Sequence, residues 1–145
     1  MAFLADTNVL LYWLQPNSPE RVVAMHAVRI LHGRGEKVYV LPQNIIELWN
    51  RATRPIAAGG LGLTVAQTDA EARYLESLFP VLYDTPVIYD AWRQLVVSVG
   101  VSGVQVYDAR IAAAMRIHGL TDLLTFNPAD FIRYPGINAV HPRDI

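Results

Sequence analysis

Short apolar runs alternate with longer segments of helical pattern along this chain. "MAFLAD" is a brief apolar run that predicts a buried strand, and "TNVLLYWLQ" after it predicts a helix. "NSPERVVAMHAVRILHGRG" predicts a second helix, with Ser18 at the cap, Pro19 at the first helical position and "GRG" as the stop. "KVYVL" is β-branched and aromatic, which predicts a second strand, and "PQNIIELWNRAT" predicts the helix after it, opened by Pro42. "RPIAAGGLGL" is the most loop-like stretch. Thr64 then opens "TVAQ", a capping box ahead of "TDAEARYLESLF". Thr85 and Pro86 start a helix running to about Gly100. "VSGVQVYDARIAAAMRIHG" holds a short loop and a helix from near Tyr107 to His118, closed by Gly119. "DLLTF" predicts a third strand and "INAVHP" a last one. Strands alternating with helices predict an α/β fold, a parallel sheet covered by helices on both faces.

Composition narrows the chemistry. The 145 residues fit one domain with a core of its own, and 52% hydrophobic content argues against disorder. No apolar stretch approaches the roughly 20 residues of a membrane span. "MAFLADTNVLLYWL" is not read as a signal peptide, since it lacks a basic start and Asp6 interrupts it. Cysteine is absent, which excludes disulfides and thiol chemistry; a reducing, cytoplasmic location is expected. The net charge of −1 excludes a polycation, so any nucleic-acid contact must come from a local patch. Eleven of the twelve basic residues are Arg, which suits phosphate recognition, although coding bias produces the same excess.

The serines sit in "NSP", "ESL", "VSV" and "VSG", none of which resembles a nucleophile elbow. His26, His32, His118 and His141 are scattered, with no metal-ligand spacing. "GGLG" lacks the strand before it and the Lys-Ser/Thr after it that a phosphate loop needs.

The thirteen acids remain, and most sit among polar residues, where a solvated or capping carboxylate accounts for them; Asp84, Asp90 and Asp122 are read this way. Four stand alone. Asp6 is the only charge in residues 1–19, Glu47 between Lys37 and Arg51, Asp108 between Arg93 and Arg110, and Asp130 between Asp122 and Arg133. Asp6 ends the first strand, Glu47 lies one turn into the helix after the second, Asp108 begins a helix, and Asp130 follows the third strand. In an open parallel sheet the ligand site lies beyond the carboxyl ends of the strands, so all four can share one rim. Gathered carboxylates repel, and Mg²⁺ or Mn²⁺, which favour carboxylate and water oxygens, would relieve the conflict. Each acid also has an ordinary reading: a helix cap for Asp108, a pair with Arg51 for Glu47, a cap on the "ADF" turn for Asp130. Asp6 has no obvious local partner. Thr7 and Asn8 follow Asp6 at a helix start, and Thr125 and Asn127 follow the third strand. These four polar residues are supporting candidates for a metal-bound water or a phosphate. Capping, and a turn before Pro128, account for them as well.

Taken in order, "LADTNVLLYWL", "LPQNIIELWNRATRP", "SGVQVYDARIAAAMRIHG" and "DLLTFNPADFIRYPGINAVHP" resemble the motifs of the PIN-domain ribonucleases, in particular the VapC-type toxins of prokaryotic toxin–antitoxin pairs. The likeness spans nearly the whole chain and is least diagnostic over about residues 55–100. It implies a three-layer α/β/α domain over residues 1–145, with a central, mostly parallel sheet of four to five strands. It also implies metal-dependent endoribonuclease activity. One or two Mg²⁺ or Mn²⁺ ions would be held by Asp6, Glu47 and Asp108, with Asp130 or Asn127 assisting. Further implications are an RNA substrate, tRNA among the candidates, a cognate antitoxin that covers the site, and a homodimer. Arg51, Arg54 and Arg110 are the expected RNA contacts, with Arg116 and Arg133 near the motifs; surface charge is the alternative for each. Tyr12, Trp13, Trp49 and Trp92 offer aromatic surface to partners or rings to the core.

One departure stands out. The family often carries a fourth acid directly after the closing strand, where this chain has Asn127; Asp130 follows three residues later. A catalytically weak or inactive PIN-like module that binds RNA or a protein is therefore the second reading. An aspartyl phosphohydrolase is disfavoured, because the position two residues after Asp6 is Asn8 and no suitably placed lysine exists.

Overall fold

The structure, a computed structural model, describes residues 1–145. In chain order the elements are β1 (Ala2–Ala5), α1 (Thr7–Trp13), α2 (Pro19–Gly33), β2 (Lys37–Tyr39), α3 (Pro42–Thr53), α4 (Val65–Leu78), α5 (Val87–Val99), α6 (Val106–Ile117), β3 (Asp122–Leu124) and β4 (Asn138–Val140). Single 3₁₀ turns at Ile56–Ala58, Gly103–Gln105 and Pro128–Phe131 lie between them, and one at Pro142–Asp144 follows β4.

The four strands are parallel in the order β2-β1-β3-β4, as the alternation of strands and helices predicts. Parallel neighbours cannot be joined by tight hairpins, so helices carry the chain back across both faces. The two faces can be read along β1. Phe3 and Ala5 join a core cluster with Val9, Leu10 and Trp13 of α1 and Ala24, Val28 and Leu31 of α2. Leu4, between them, joins the opposite cluster with Ile111, Ala112 and Met115 of α6 and Ile88 and Leu95 of α5. Leu123 and Leu124 of β3 divide the same way. A strand apolar on both faces is what a covered parallel sheet requires.

Beyond β2, Val40 forms an isolated parallel bridge with Val81, held by Val40 N–H to the Pro80 carbonyl and Leu82 N–H to the Val40 carbonyl. This single-residue extension of the sheet edge has no alternating pattern that a sequence reading could detect.

Local signals hold to different degrees. The Thr64 capping box forms in both directions: Gln67 N–H donates to Thr64 Oγ1 at 3.1 Å, and Thr64 N–H donates to Gln67 Oε1 at 2.9 Å. Gly100 closes α5 with φ 78°, in the left-handed region that glycine enters without strain. Ser18 stands at the cap position of α2 but donates its hydroxyl to Glu20 Oε2 at 2.6 Å instead of capping. That bond holds the Glu20 carboxyl below its ordinary range. Asp122 corrects the sequence reading outright. It is buried at the start of β3, and its Oδ1 accepts from Asn138 Nδ2 at 2.7 Å, a side-chain tie between β3 and β4. No helix is long and apolar enough to cross a membrane.

Candidate functional site

The connections from β1 and β3 leave the sheet in opposite directions, since β2 lies on one side of β1 and β4 on the far side of β3. A crevice opens where they part, at the carboxyl ends of the two central strands. Asp6 and Thr125 are the first residues beyond those strands. Asp6 N–H still donates to the Leu124 carbonyl at 2.9 Å, and Thr125 N–H to the Val140 carbonyl at 3.0 Å, so sheet hydrogen bonding fixes both backbones. Their side chains then meet: Thr125 Oγ1 donates to Asp6 Oδ2 at 2.7 Å. Asp6 is also the N-cap of α1, its Oδ1 accepting from Thr7 N–H at 2.8 Å. The sequence left this carboxylate without a partner; the fold gives it two.

The four isolated acids converge. Asp6, Glu47, Asp108 and Asp130 all line one open cleft of about 600 Å³, together with Thr7, Asn8 and Asn127. Thr125 lies beneath, joined to Asp6. Its hydroxyl oxygen also accepts from Asn8 Nδ2 at 3.2 Å and from Asn127 N–H at 3.1 Å, while Asn8 Oδ1 accepts from Phe126 N–H. Glu47 is held from both sides, Oε2 by the Thr7 hydroxyl at 2.7 Å and Oε1 by Gln43 Nε2 at 2.8 Å. The ordinary reading of Glu47, a pair with Arg51, does not hold; the Arg51 guanidinium donates to the Gly59 carbonyl at 3.3 Å. Asp108 is in the first turn of α6, inside the helix rather than capping it. Asp130 is exposed within the 3₁₀ turn at Pro128–Phe131.

Electrostatics records the crowding. Asp6 is only 8% exposed, and burial, opposed by its two hydrogen bonds and reinforced by Glu47 and Asp130, pushes its pKa from 3.8 up to about 6. Burial, then the nearby Asp6, Asp130 and Glu47, pushes Asp108 up to about 7, with Arg133 pulling the other way. Without a counter-charge, part of this acid set carries protons near neutral pH.

The donor set is hard oxygen only, which fits Mg²⁺ or Mn²⁺ and not a thiolate- or imidazole-preferring metal. Yet no group of three or more His, Asp or Glu side chains is drawn close enough to hold an ion. Both carboxylate oxygens of Asp6 and of Glu47 are engaged by protein donors. The arrangement suits a cation taken by one or two carboxylates with water and phosphate oxygens, and it does not form an all-protein cage.

Of the expected RNA contacts, Arg51 lines the cleft and Arg54 and Arg110 do not. Arg110 is tied to Asp84 at 3.3 Å and to Gln43 Oε1 at 3.1 Å. Gln43 is the residue that a search for charges misses. It is buried, donates to Glu47 and to the Tyr107 carbonyl at 2.8 Å each, and accepts from Arg110, so it couples α3 to α6 beneath the cleft. Its spacing of four residues from Glu47 was the only available signal. Trp13 and Trp92 are turned inward: Trp13 is buried against Phe79, and the Trp92 indole N–H donates to the Val106 carbonyl at 2.8 Å.

Comparison with known proteins agrees with this fold. VapBC2 from Rickettsia felis, solved bound to a DNA fragment from its promoter, superposes with a TM-score of 0.75 at 14% identity, covering 97% of this chain and 98% of that one. FitAcB from Neisseria gonorrhoeae gives 0.65 at 26% identity, with 99% of each chain covered. VapC20 from Mycobacterium tuberculosis, described as a sarcin-ricin loop cleaving toxin, gives 0.58 at 19% identity over 83% and 86%. No curated protein matches the sequence. The family model for the PIN domain matches residues 3–137, and the chain belongs to the PIN domain family.

Proposed function

We propose that this chain is a VapC-type PIN protein, a single domain over residues 1–145 that engages RNA at the acid-lined cleft and is paired with an antitoxin protein. One observation carries the reading: four acids from four separate segments meet in one open cleft at the switch point of a parallel sheet. Support for the toxin–antitoxin context comes from the likeness in fold to a toxin–antitoxin complex from Klebsiella pneumoniae, with a TM-score of 0.65 at 22% identity over 98% of each chain. Support for RNA comes from VapC20, whose description is that of a sarcin-ricin loop cleaving toxin. Arg51 at the rim is the phosphate contact in this reading, and the protein works as a homodimer.

Two versions differ on whether the bound strand is cut. The resting geometry favours a catalytically weak RNA- or protein-binding module, because no three acids stand close enough to hold an ion and Asn127 occupies the position of a fourth. The oxygen-only donor set and the raised pKa values of Asp6 and Asp108 favour a Mg²⁺- or Mn²⁺-dependent endoribonuclease. In that version Asp6 and Asp108 hold the ion, assisted by Glu47 and Asp130. When bound, the ion supplies an activated water and charge stabilisation at the phosphodiester. The Thr125 hydroxyl orients Asp6, and Thr7 with Gln43 orients Glu47.

The deciding experiment incubates structured RNAs with purified protein in Mg²⁺, Mn²⁺ or EDTA, beside Asp6→Asn, and measures RNA binding in parallel. Metal-dependent cleavage lost in the variant establishes the nuclease. Binding without cleavage establishes the module. Neither binding nor cleavage overturns the RNA reading.

A further inference from the structure

Beside the acid cleft lies a second, smaller cavity, none of whose lining side chains hydrogen-bonds to any of the four acids. It has a volume of about 220 Å³ and is lined by Tyr89, Trp92, Val106, Tyr107 and Arg110. Tyr107 lines both cavities, so the two share a wall. Three of the five lining residues are aromatic and one is a guanidinium. Pockets for whole small molecules begin at about 300 Å³, so this one suits a fragment whose remainder lies elsewhere.

The walls are fixed in advance. The Trp92 indole is anchored to the Val106 carbonyl, and Tyr89 lies beside it with ring centroids 6.0 Å apart and planes 35° from parallel. Arg110 is clamped between Asp84 and Gln43, which holds its planar cation in one orientation. Tyr89 and Tyr107 are each 59% exposed, so their rings are free to receive a partner. Aromatic rings with a fixed guanidinium are the elements on which an unpaired nucleobase stacks.

We propose that this cavity is a base-stacking subsite. A nucleobase of single-stranded RNA rests against Tyr107 and the Tyr89–Trp92 pair while the adjoining phosphodiester lies in the acid cleft. The proposal rests on the reading of that cleft as an RNA site. The shared Tyr107 wall makes RNA the favoured occupant: a nucleotide puts a flat apolar base beside an anionic backbone, and the surface offers a flat apolar pocket beside the cleft. A segment of another protein chain is the competing occupant, and the test includes it.

The test measures binding in EDTA, where a metal-dependent nuclease leaves RNA intact, and in Ca²⁺, an oxygen-seeking cation that offsets the charge of the cleft. The probes are a single-stranded oligoribonucleotide, the same strand fully paired, and the same strand carrying abasic positions. Wild type is expected to favour the first. Tyr89→Ala and Tyr107→Ala are expected to weaken its binding at least about five-fold, with Tyr89→Phe retaining it. Duplex and abasic binding should stay unchanged, as should the thermal midpoint. Equal binding of the intact and abasic strands, or variants that bind as wild type does, overturns the subsite and leaves the cleft reading standing. Variants that lose self-association or binding of a partner protein at unchanged RNA affinity assign the pocket to a protein and also overturn it. No RNA binding by wild type under any condition removes the cleft reading itself, and the subsite with it.

Discussion

Thr125 donates its hydroxyl hydrogen to Asp6 across 2.7 Å, joining two residues 119 positions apart in the chain. The bond spans the point where β1 and β3 diverge and fixes the orientation of the most buried of the four acids. Thr125→Val keeps the shape, removes the donor, and leaves Asn8 Nδ2 and the Asn127 N–H without their acceptor. The expected loss is about 1–3 kcal/mol in denaturant unfolding, with a further rise in the Asp6 pKa. Thr125→Ser should recover most of both. An unchanged Asp6 titration in Thr125→Val, followed by NMR, would show that this hydroxyl does not control the carboxylate.

The raised acids set the sign of the pH dependence. Asp6 at about 6 and Asp108 at about 7 bind protons more tightly folded than unfolded, against an ordinary 3.8. Their contribution to stability is complete below about pH 4 and is lost as pH rises through 6 and 7. The metal-free protein is therefore expected to lose stability from these two groups between pH 4 and 7, opposite to the usual carboxylate trend. For Asp6, whose side chain is almost fully buried, the span is on the order of 3 kcal/mol. Asp108 has no side-chain hydrogen bond to lose, so Asp108→Asn should flatten the profile and raise the melting temperature at pH 8. A wild-type profile that climbs steadily over this range, with no gain from Asp108→Asn, would contradict the assignment.

A cation that neutralises the same acids should act in the opposite direction. At pH 7.5, Mn²⁺ at about 100 times its dissociation constant is expected to stabilise wild type by roughly 2.7 kcal/mol. Asp6→Asn and Asp108→Asn should lose most of this response, while Asp90→Asn, exposed on α5 away from the cleft, should keep it. Calorimetry with and without the ion reads the difference and requires no RNA. Equal responses in all four proteins would place the ion elsewhere.

Much of this site is legible in the sequence because charge is conspicuous against apolar surroundings. Asp6, Glu47, Asp108 and Asp130 stand out for that reason, and the carboxyl-end rule for parallel sheets puts them on one rim. What holds them in place is not legible. Thr125 is a candidate only for its place after the third strand, and Gln43 and Asn44 are neutral residues whose decisive partners lie on other elements: Gln43 bonds the Tyr107 carbonyl and Arg110, and Asn44 Nδ2 donates to Thr7 Oγ1. Asp122 fails in the other direction. Its charge suggests solvent, but β4 supplies Asn138 to bond it within the protein. The Thr64 capping box needs nothing beyond four consecutive residues, and it forms as read.

Gln43 is the sharpest case of a neutral residue that outranks nearby charges. It bonds Glu47, the Tyr107 carbonyl and Arg110 at once from a buried position. Gln43→Leu keeps the bulk and breaks all three bonds, leaving one Glu47 oxygen unpaired and Arg110 with Asp84 alone. A loss of about 2–4 kcal/mol is expected. Arg110→Ala breaks only one of the three and frees Asp84 at the surface, where the exposed ion pair itself contributes little. It should therefore cost less, and the two changes together should fall short of their sum because they share a bond. Strict additivity in a double-mutant cycle would mean that Gln43 and Arg110 act separately, and that the coupling of α3 to α6 does not run through their shared bond.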